Sequence, residues 1–241
     1  MANGIVIIPT YNEIENIENI IRTVFLLETV FHVLVVDDNS PDKTAEKVKE
    51  LQLLFPEKLF LEVRKKKSGL GTAYVHGFKW AMKKEYDYIF EMDADFSHNP
   101  NDLEKLYLEC KNNGADIAIG SRYVKGVNVI NWPLSRVLLS YFASVYVRMI
   151  TGMKIMDATA GFICYKRNVL ETLKLDRIKF IGYAFQIEMK YRAFVRNFKI
   201  HEVSVTFTDR TKGQSKMSSS IIKEAVFGVI SLRIRKLFNR L

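Results

Sequence analysis

The chain reads as one α/β domain built on a mostly parallel, Rossmann-like sheet flanked by helices. Three observations predict this. Short aliphatic and β-branched runs alternate with segments whose apolar residues recur at helical spacing, the signature of successive strand-helix units. Each run ends in a polar or glycine-containing loop, as strands do when their carboxyl ends form a ligand-binding rim. The 241 residues, 48% hydrophobic, suffice for a sizeable core and contain no Pro/Gly/Ser-rich linker.

Ile5-Val6-Ile7-Ile8 is a continuous apolar strand, closed by Pro9-Thr10-Tyr11-Asn12-Glu13. Ile14, Ile17, Ile20, Ile21, Val24 and Phe25 then mark the buried face of a helix. A second strand spans Phe31 to Val36 and runs into Asp37-Asp38-Asn39-Ser40-Pro41-Asp42, after which Thr44 to Leu54 is helical. Leu59 to Val63 gives the third strand. From it, Arg64-Lys65-Lys66-Lys67-Ser68-Gly69-Leu70-Gly71 leads into a helix through Tyr74, Phe78, Trp80 and Ala81. Gly69-x-Gly71 lacks the third glycine of a dinucleotide fingerprint and does not follow the first strand, which excludes a Rossmann oxidoreductase. It predicts instead a tight turn whose amides open a helix near an anion. Tyr86 to Phe90 is the fourth strand, and it runs out into Glu91-Met92-Asp93-Ala94-Asp95-Phe96-Ser97-His98-Asn99-Pro100.

Asp93 and Asp95 point the same way if strand periodicity persists, and two neighbouring carboxylates repel unless a cation lies between them. Hard divalent ions bridge substrate phosphates to one or two protein carboxylates, so the pair is suited to Mg²⁺ or Mn²⁺ on a diphosphate. Standing alone, the same residues also read as an Asp-rich turn. Their position at a strand end, shared with Asn12/Glu13, Asp37/Asp38 and Gly69/Gly71, favours the metal reading.

The net charge of +9 is unevenly placed: residues 1–173 carry 21 Lys+Arg against 22 Asp+Glu, and residues 174–241 carry 15 against 5. A basic last third suits phosphates, nucleic acid or an anionic membrane. No aromatic-interleaved recognition pattern accompanies the charge, which argues against nucleic acid. Cys110 and Cys164 match no metal spacing and are expected as buried thiols of a reduced protein. The chain enters a strand at once with no basic-apolar leader, so a cytoplasmic location is expected. His32, His76, His98 and His201 show no ligand spacing, and only His98 adjoins the acidic loop. Met149, Met153 and Met156 are expected to fill core gaps.

Eight segments in consistent order over about residues 4–217 carry a family resemblance. Pro9-Thr10-Tyr11-Asn12-Glu13, Val36-Asp37-Asp38-Asn39-Ser40-Pro41-Asp42, Gly69-Leu70-Gly71-Thr72-Ala73 and Met92-Asp93-Ala94-Asp95 resemble family 2 glycosyltransferases of the GT-A fold. Gly120-Ser121-Arg122-Tyr123, Asp157-Ala158-Thr159-Ala160-Gly161-Phe162, Gly182-Tyr183-Ala184-Phe185-Gln186-Ile187-Glu188-Met189 and Asp209-Arg210-Thr211-Lys212-Gly213-Gln214-Ser215-Lys216 resemble the dolichol-phosphate mannose synthases among them. The resemblance implies GDP-mannose as donor and a polyprenyl monophosphate as acceptor. It implies nucleotide contacts at Pro9, Tyr11, Glu13, Val36 and Asp38, and metal and diphosphate contacts at Asp93, Ala94 and Asp95. A third metal contact is implied at Ser97, where one family pattern has glutamine. Arg210 and Lys216 match basic residues of a loop that closes on the donor diphosphate, with Gly213 as its hinge.

On the acceptor side, Asn131-Trp132-Pro133 precedes a helix with an apolar stripe of Leu134, Val137, Leu138, Tyr141, Phe142, Val145 and Tyr146. That stripe reads either as core or as an interfacial surface. Arg136 and Ser140 share a face at i,i+4 spacing and, with Arg122 from the resemblance, are expected to hold a lipid phosphate. Glu188 reads equally as a core contact or as a group facing the sugar.

After residue 217 a basic amphipathic helix is expected, with Ser218, Ser219 and Ser220 as N-cap candidates. It would lie on a bilayer or dock against the acceptor helix, since its apolar run is too short to span one. The expected division is therefore a domain over 1–217, with a nucleotide half of about 1–120 and an acceptor half of about 121–217, followed by the helix at 218–241. The expected activity is inverting mannose transfer with Asp95, Arg210 and Lys216 as its catalytic residues. It is expected at the cytoplasmic membrane face, alone or beside a membrane-protein partner. A UDP-linked glucose or N-acetylhexosamine donor is the alternative, because strand-end motifs for nucleotide and metal are shared across the superfamily.

Overall fold

The computed structural model describes residues 3–182, 184–209 and 219–238. In chain order the elements are β1 (Gly4–Thr10), α1 (Ile17–Phe25), β2 (Phe31–Asp37), α2 (Thr44–Leu54), β3 (Leu59–Val63), α3 (Leu70–Lys83), β4 (Tyr88–Glu91), α4 (Asp102–Asn112) and β5 (Ile117–Ser121). These are followed by β6 (Val129–Ile130), α5 (Leu134–Thr151), β7 (Ile163–Lys166), α6 (Arg167–Thr172), α7 (Ala184–Phe194), β8 (Ile200–Ser204), β9 (Phe207–Thr208) and α8 (Ser219–Leu237). The four N-terminal strands and their helices lie where hydrophobic periodicity places them. Helix α1 starts later than Ile14, because the amides of Asn16 and Ile17 both donate to the Glu13 carbonyl and close a turn first.

Seven strands form the main sheet in the order β3-β2-β1-β4-β7-β5-β8, and β6 pairs with β9 in a separate two-stranded ribbon. All neighbours in the main sheet are parallel except β7, which runs antiparallel to both β4 and β5. Strand periodicity sends alternate side chains to opposite layers. Ile5 and Ile7 join the core under α3, α5 and α7, while Val6 and Ile8 join the core under α1, α2 and α4. Helix α3 approaches the sheet closely because Gly77 faces β1; a Cβ there would lie 2.6 Å from Ile7 Cγ2.

Cys110 and Cys164 are buried free thiols, as expected, and are neighbours: Cys110 Sγ lies 3.7 Å from the Cys164 carbonyl oxygen. Met153 is buried, but Met149 is 71% exposed, so it does not fill the core. It extends an outward stripe on α5 that includes Leu134 and Leu138, both exposed. The apolar stripe of α5 is thus a surface in large part, and α5 buries chiefly Ser144, Val147 and Thr151. Helix α8 packs on α5 and α7 through the buried Val229 and Leu232, while Phe227, Ile230, Ile234 and Leu237 remain exposed. Ser218 lies outside the described residues.

Candidate active site

Because β7 is antiparallel, its first residues meet the last residues of β4. The Thr159–Gly161 segment before β7 is thereby set against the Asp93–Asp95 loop after β4. Between them opens a cleft of about 350 Å³. Asp93, Asp95, Ser97, Arg122, Arg136 and Ser140 all line it. Its far wall is apolar, formed by Leu139, Phe142, Ala143 and Tyr146 of α5 with Ile187 and Val226.

The acidic loop is held from several sides. The Tyr74 hydroxyl of α3 donates to Asp93 Oδ1 at 3.3 Å, and the Asp93 amide donates to His98 Nδ1 at 3.1 Å. His98 stacks on Phe162 with ring centroids 4.9 Å apart, and burial pushes its pKa down to about 4, so the ring is neutral at pH 7. Burial, and then the charge of Asp93, push the Tyr74 phenol well above its ordinary value. Phe96 takes a φ of 59°, and the chain turns sharply enough for Ser97 to reach back. Ser97 Oγ donates to Asp95 Oδ1 at 2.6 Å and its amide to the same oxygen at 3.1 Å. Asp-x-Asp is therefore both things its sequence allowed, an Asp-rich turn and a pair of carboxylates facing a cleft. Among the described residues, no third His, Cys, Asp or Glu completes a cluster able to hold an ion. Two hard carboxylates on an open cleft fit a divalent cation whose remaining ligands come from substrate phosphate and water.

The nucleotide residues expected from the resemblance lie outside this cleft, at the adjoining ends of β1 and β2, where Pro9 pairs in register with Val36. Asp37 is spent on structure, accepting from Thr10 Oγ1 (2.8 Å) and from Ser40 Oγ (2.6 Å). Asp38 receives Arg64 Nε at 2.5 Å, and Arg64 also donates to Thr72 Oγ1 at 2.8 Å. Lys67 sits 4.2 Å from the Tyr11 ring centroid, and the Asn16 side chain donates to Glu13 Oε2 at 3.3 Å. Sequence reasoning assigned no role to Arg64 or Lys67; their place beside Gly69-x-Gly71 was the available signal. Within that turn, expected to open its amides to an anion, one amide is already engaged. The Gly71 amide donates to the Ile181 carbonyl at 2.9 Å, and Gly71 lacks a side chain because a Cβ would meet the Phe185 ring at 2.7 Å.

Of the residues expected to hold an acceptor phosphate, Arg122 is buried against Asp157, with Nε–Oδ2 at 2.7 Å and Nη2–Oδ1 at 2.6 Å. Burial alone would raise the Asp157 carboxyl, but the Arg122 charge and hydrogen bonds outweigh it and hold it below the usual range. Arg136 donates to Asp209 Oδ1 at 2.6 Å and lies 4.0 Å from the Trp132 ring centroid. Arg210 and Lys216 lie outside the described residues, but Asp209, which precedes them, lines the cleft. Glu188 resolves as a core contact: it accepts the Lys179 and Phe180 amides and the Arg192 guanidinium, fully buried.

Beneath the cleft lies a buried polar layer that sequence reasoning missed. Glu91, two residues before Asp93, accepts a hydrogen bond from Gln186 Nε2. One turn along α7, Lys190 Nζ donates to the Ala158 and Ala160 carbonyls. Burial pushes the Glu91 carboxyl up to about 8 and the Lys190 ammonium down to about 8. A charged residue inside an apolar strand or helix was the only signal available.

Comparison with known proteins agrees with this architecture. Residues 5–174 match the model for glycosyl transferase family 2. The chain is 46% identical over 236 residues to the polyprenol monophosphomannose synthase of Mycolicibacterium smegmatis, covering 98% of this chain and 89% of the relative. It is 42% identical to the undecaprenyl-phosphate mannosyltransferase of Micrococcus luteus, covering 92% and 90%. Among solved structures, glucosyl-3-phosphoglycerate synthase from Mycobacterium tuberculosis, crystallised with Mn²⁺, UDP and glucosyl-3-phosphoglycerate, superposes with a TM-score of 0.67 at 17% identity, covering 98% of this chain and 79% of that one. The mostly parallel sheet with its acidic loop after β4 is thus the GT-A fold, and the chain belongs to glycosyl transferase family 2 and is a glycosyltransferase.

Proposed function

We propose that the protein transfers mannose from GDP-mannose to a polyprenyl monophosphate with inversion, forming a β-linked polyprenyl phosphate mannose. The observation that carries this reading is the cleft itself, which joins two carboxylates, two arginines and an apolar wall in one continuous space. A sugar diphosphate belongs at the acidic end, a lipid phosphate at the arginines, and a prenyl chain along α5. The names of the two bacterial relatives support mannose and a polyprenyl phosphate.

The nucleotide would rest on Pro9, Tyr11, Glu13, Val36 and Asp38, with its diphosphate directed to Asp93, Ala94 and Asp95. Asp93 and Asp95 would hold Mg²⁺ or Mn²⁺, with Ser97 fixing the Asp95 rotamer or reaching the ion through water. The ion, when bound, neutralises charge that develops on the leaving diphosphate. Arg210 and Lys216 would add to that neutralisation from the segment after Asp209. A phosphate monoester is largely ionised near pH 7, its second pKa being about 6, so no protein base is needed. Arg122, held rigid by Asp157, would aim that oxygen at the anomeric carbon together with Arg136 and Ser140. The oxygen forms a bond to this carbon as the bond to the diphosphate breaks.

No helix of the described residues is long and apolar enough to cross a membrane. The exposed stripes of α5 and α8, with the basic charge of residues 174–241, support peripheral attachment at the cytoplasmic membrane face, alone or with a membrane-protein partner. The deciding assay offers labelled GDP-mannose, UDP-glucose and UDP-N-acetylglucosamine with a polyprenyl phosphate and resolves the lipid products. Mannosyl lipid from GDP-mannose alone supports the reading; product only from a UDP-sugar overturns it. Asp95→Ala should lower turnover by more than about 100-fold while changing GDP affinity far less. Chelation should abolish wild-type activity, and full activity after chelation would end the metal role.

A further inference from the structure

Gln186 stands in the first turn of α7 and lines the cleft together with Asp93, Asp95 and Arg122. Gln186 is 3% exposed, and one end of its amide, Nε2, is held by the Glu91 carboxyl group of β4. The other end, Oε1, is buried with no hydrogen-bond partner. An unsatisfied buried carbonyl is costly to a folded protein and is rarely kept without a use. The surroundings keep it in place. Lys190 binds the Gln186 carbonyl and the Ala158 and Ala160 carbonyls, which ties the helix to the segment before β7. Gly161 of that segment lies beside the amide, where a Cβ would stand 3.4 Å from Nε2, at ordinary contact distance. A polar group is thus built into the wall of the cleft that Asp93, Asp95 and Arg122 also line.

We propose that Gln186 binds a hydroxyl of the hexosyl group being transferred, with Glu91 as the positioning residue that holds its amide. A sugar hydroxyl both donates and accepts, so it satisfies the amide whichever end faces the cleft. This inference rests on the transfer reading above but not on which hexose is transferred. A binding site built around a buried polar group rejects an analogue lacking its partner far more strongly than an apolar pocket rejects an extra group.

The test compares wild type with Gln186→Leu, using GDP-mannose and its 2-, 3-, 4- and 6-deoxy forms, with kcat/KM for labelled lipid product and calorimetric GDP affinity as readouts. In wild type, one deoxy donor should fall by about tenfold or more while the others change little. Gln186→Leu should lose a similar factor with GDP-mannose, lose nothing further with that deoxy donor, and bind GDP within about twofold of wild type. The proposal is overturned if no deoxy donor is singled out by wild type, or if the losses from variant and deoxy donor multiply. It is overturned equally if GDP affinity falls in parallel with turnover. Should Gln186→Leu fail to fold, Gln186→Glu and Gln186→Met take its place, and the wild-type deoxy series stands on its own. If wild type uses only a UDP-sugar, the mannose reading falls, and the deoxy series of that donor decides the Gln186 proposal by the same criteria.

Discussion

At the scale of single residues, the buried pair of Arg122 and Asp157 shows how a site charge is held. Removing one partner leaves the other uncompensated in a low-dielectric interior. Asp157→Ala should therefore destabilise the protein by about 3–5 kcal/mol, read by urea denaturation. Glu188 carries the same logic away from the cleft, where its neighbours in the sequence do not reveal its role. A carboxylate on a helix is identical in one dimension whether it faces a sugar or two backbone amides, and only the fold of residues 179–180 over α7 decides. The Asp-x-Asp loop was legible because charge repulsion and strand periodicity act locally. Gln186 was not, because its meaning depends on Glu91, far away in the chain. His32 offers a test by pH. Burial lowers its pKa from 6.5, so the folded state binds fewer protons than the unfolded chain just below that value. Stability should be full above it and fall as pH drops beneath, and His32→Gln should flatten that slope in melts at about pH 5 and about pH 7.5.

At the scale of elements, helix α5 does two things with one sequence. Its inward positions close the cleft, and Leu134, Leu138 and Met149 face outward. Helical spacing alone could not say which stripe was core, since a membrane-facing stripe and a core-facing one have the same period. On the membrane reading, Leu134→Glu with Met149→Glu should reduce sedimentation with anionic vesicles by about tenfold and leave GDP affinity unchanged. Vesicle binding should also weaken as salt rises, because part of the attraction is to Lys and Arg of the last third. Helix α3 behaves differently. Gly71 and Gly77 serve close packing, and Gly77→Ala should cost about 1–3 kcal/mol through overpacking against Ile7.

At the scale of the whole molecule, β1 to β4 and their helices were readable as strand-loop-helix units because each is local. The sheet order was not, since nothing in Ile163–Lys166 announces that it enters between β4 and β5. That insertion also has a temporal meaning. While the chain is being synthesised, β4 and β5 emerge before their shared neighbour exists, and each presents an unpaired edge until Lys166 has appeared. A nascent chain ending near residue 120 would carry its acidic loop on an unfinished sheet. Stalled chains of increasing length, probed by protease, should gain resistance across β4 and β5 in one late step after β7 has cleared the ribosome. Birth order thus has the acidic loop made well before the strand that completes the sheet beside it.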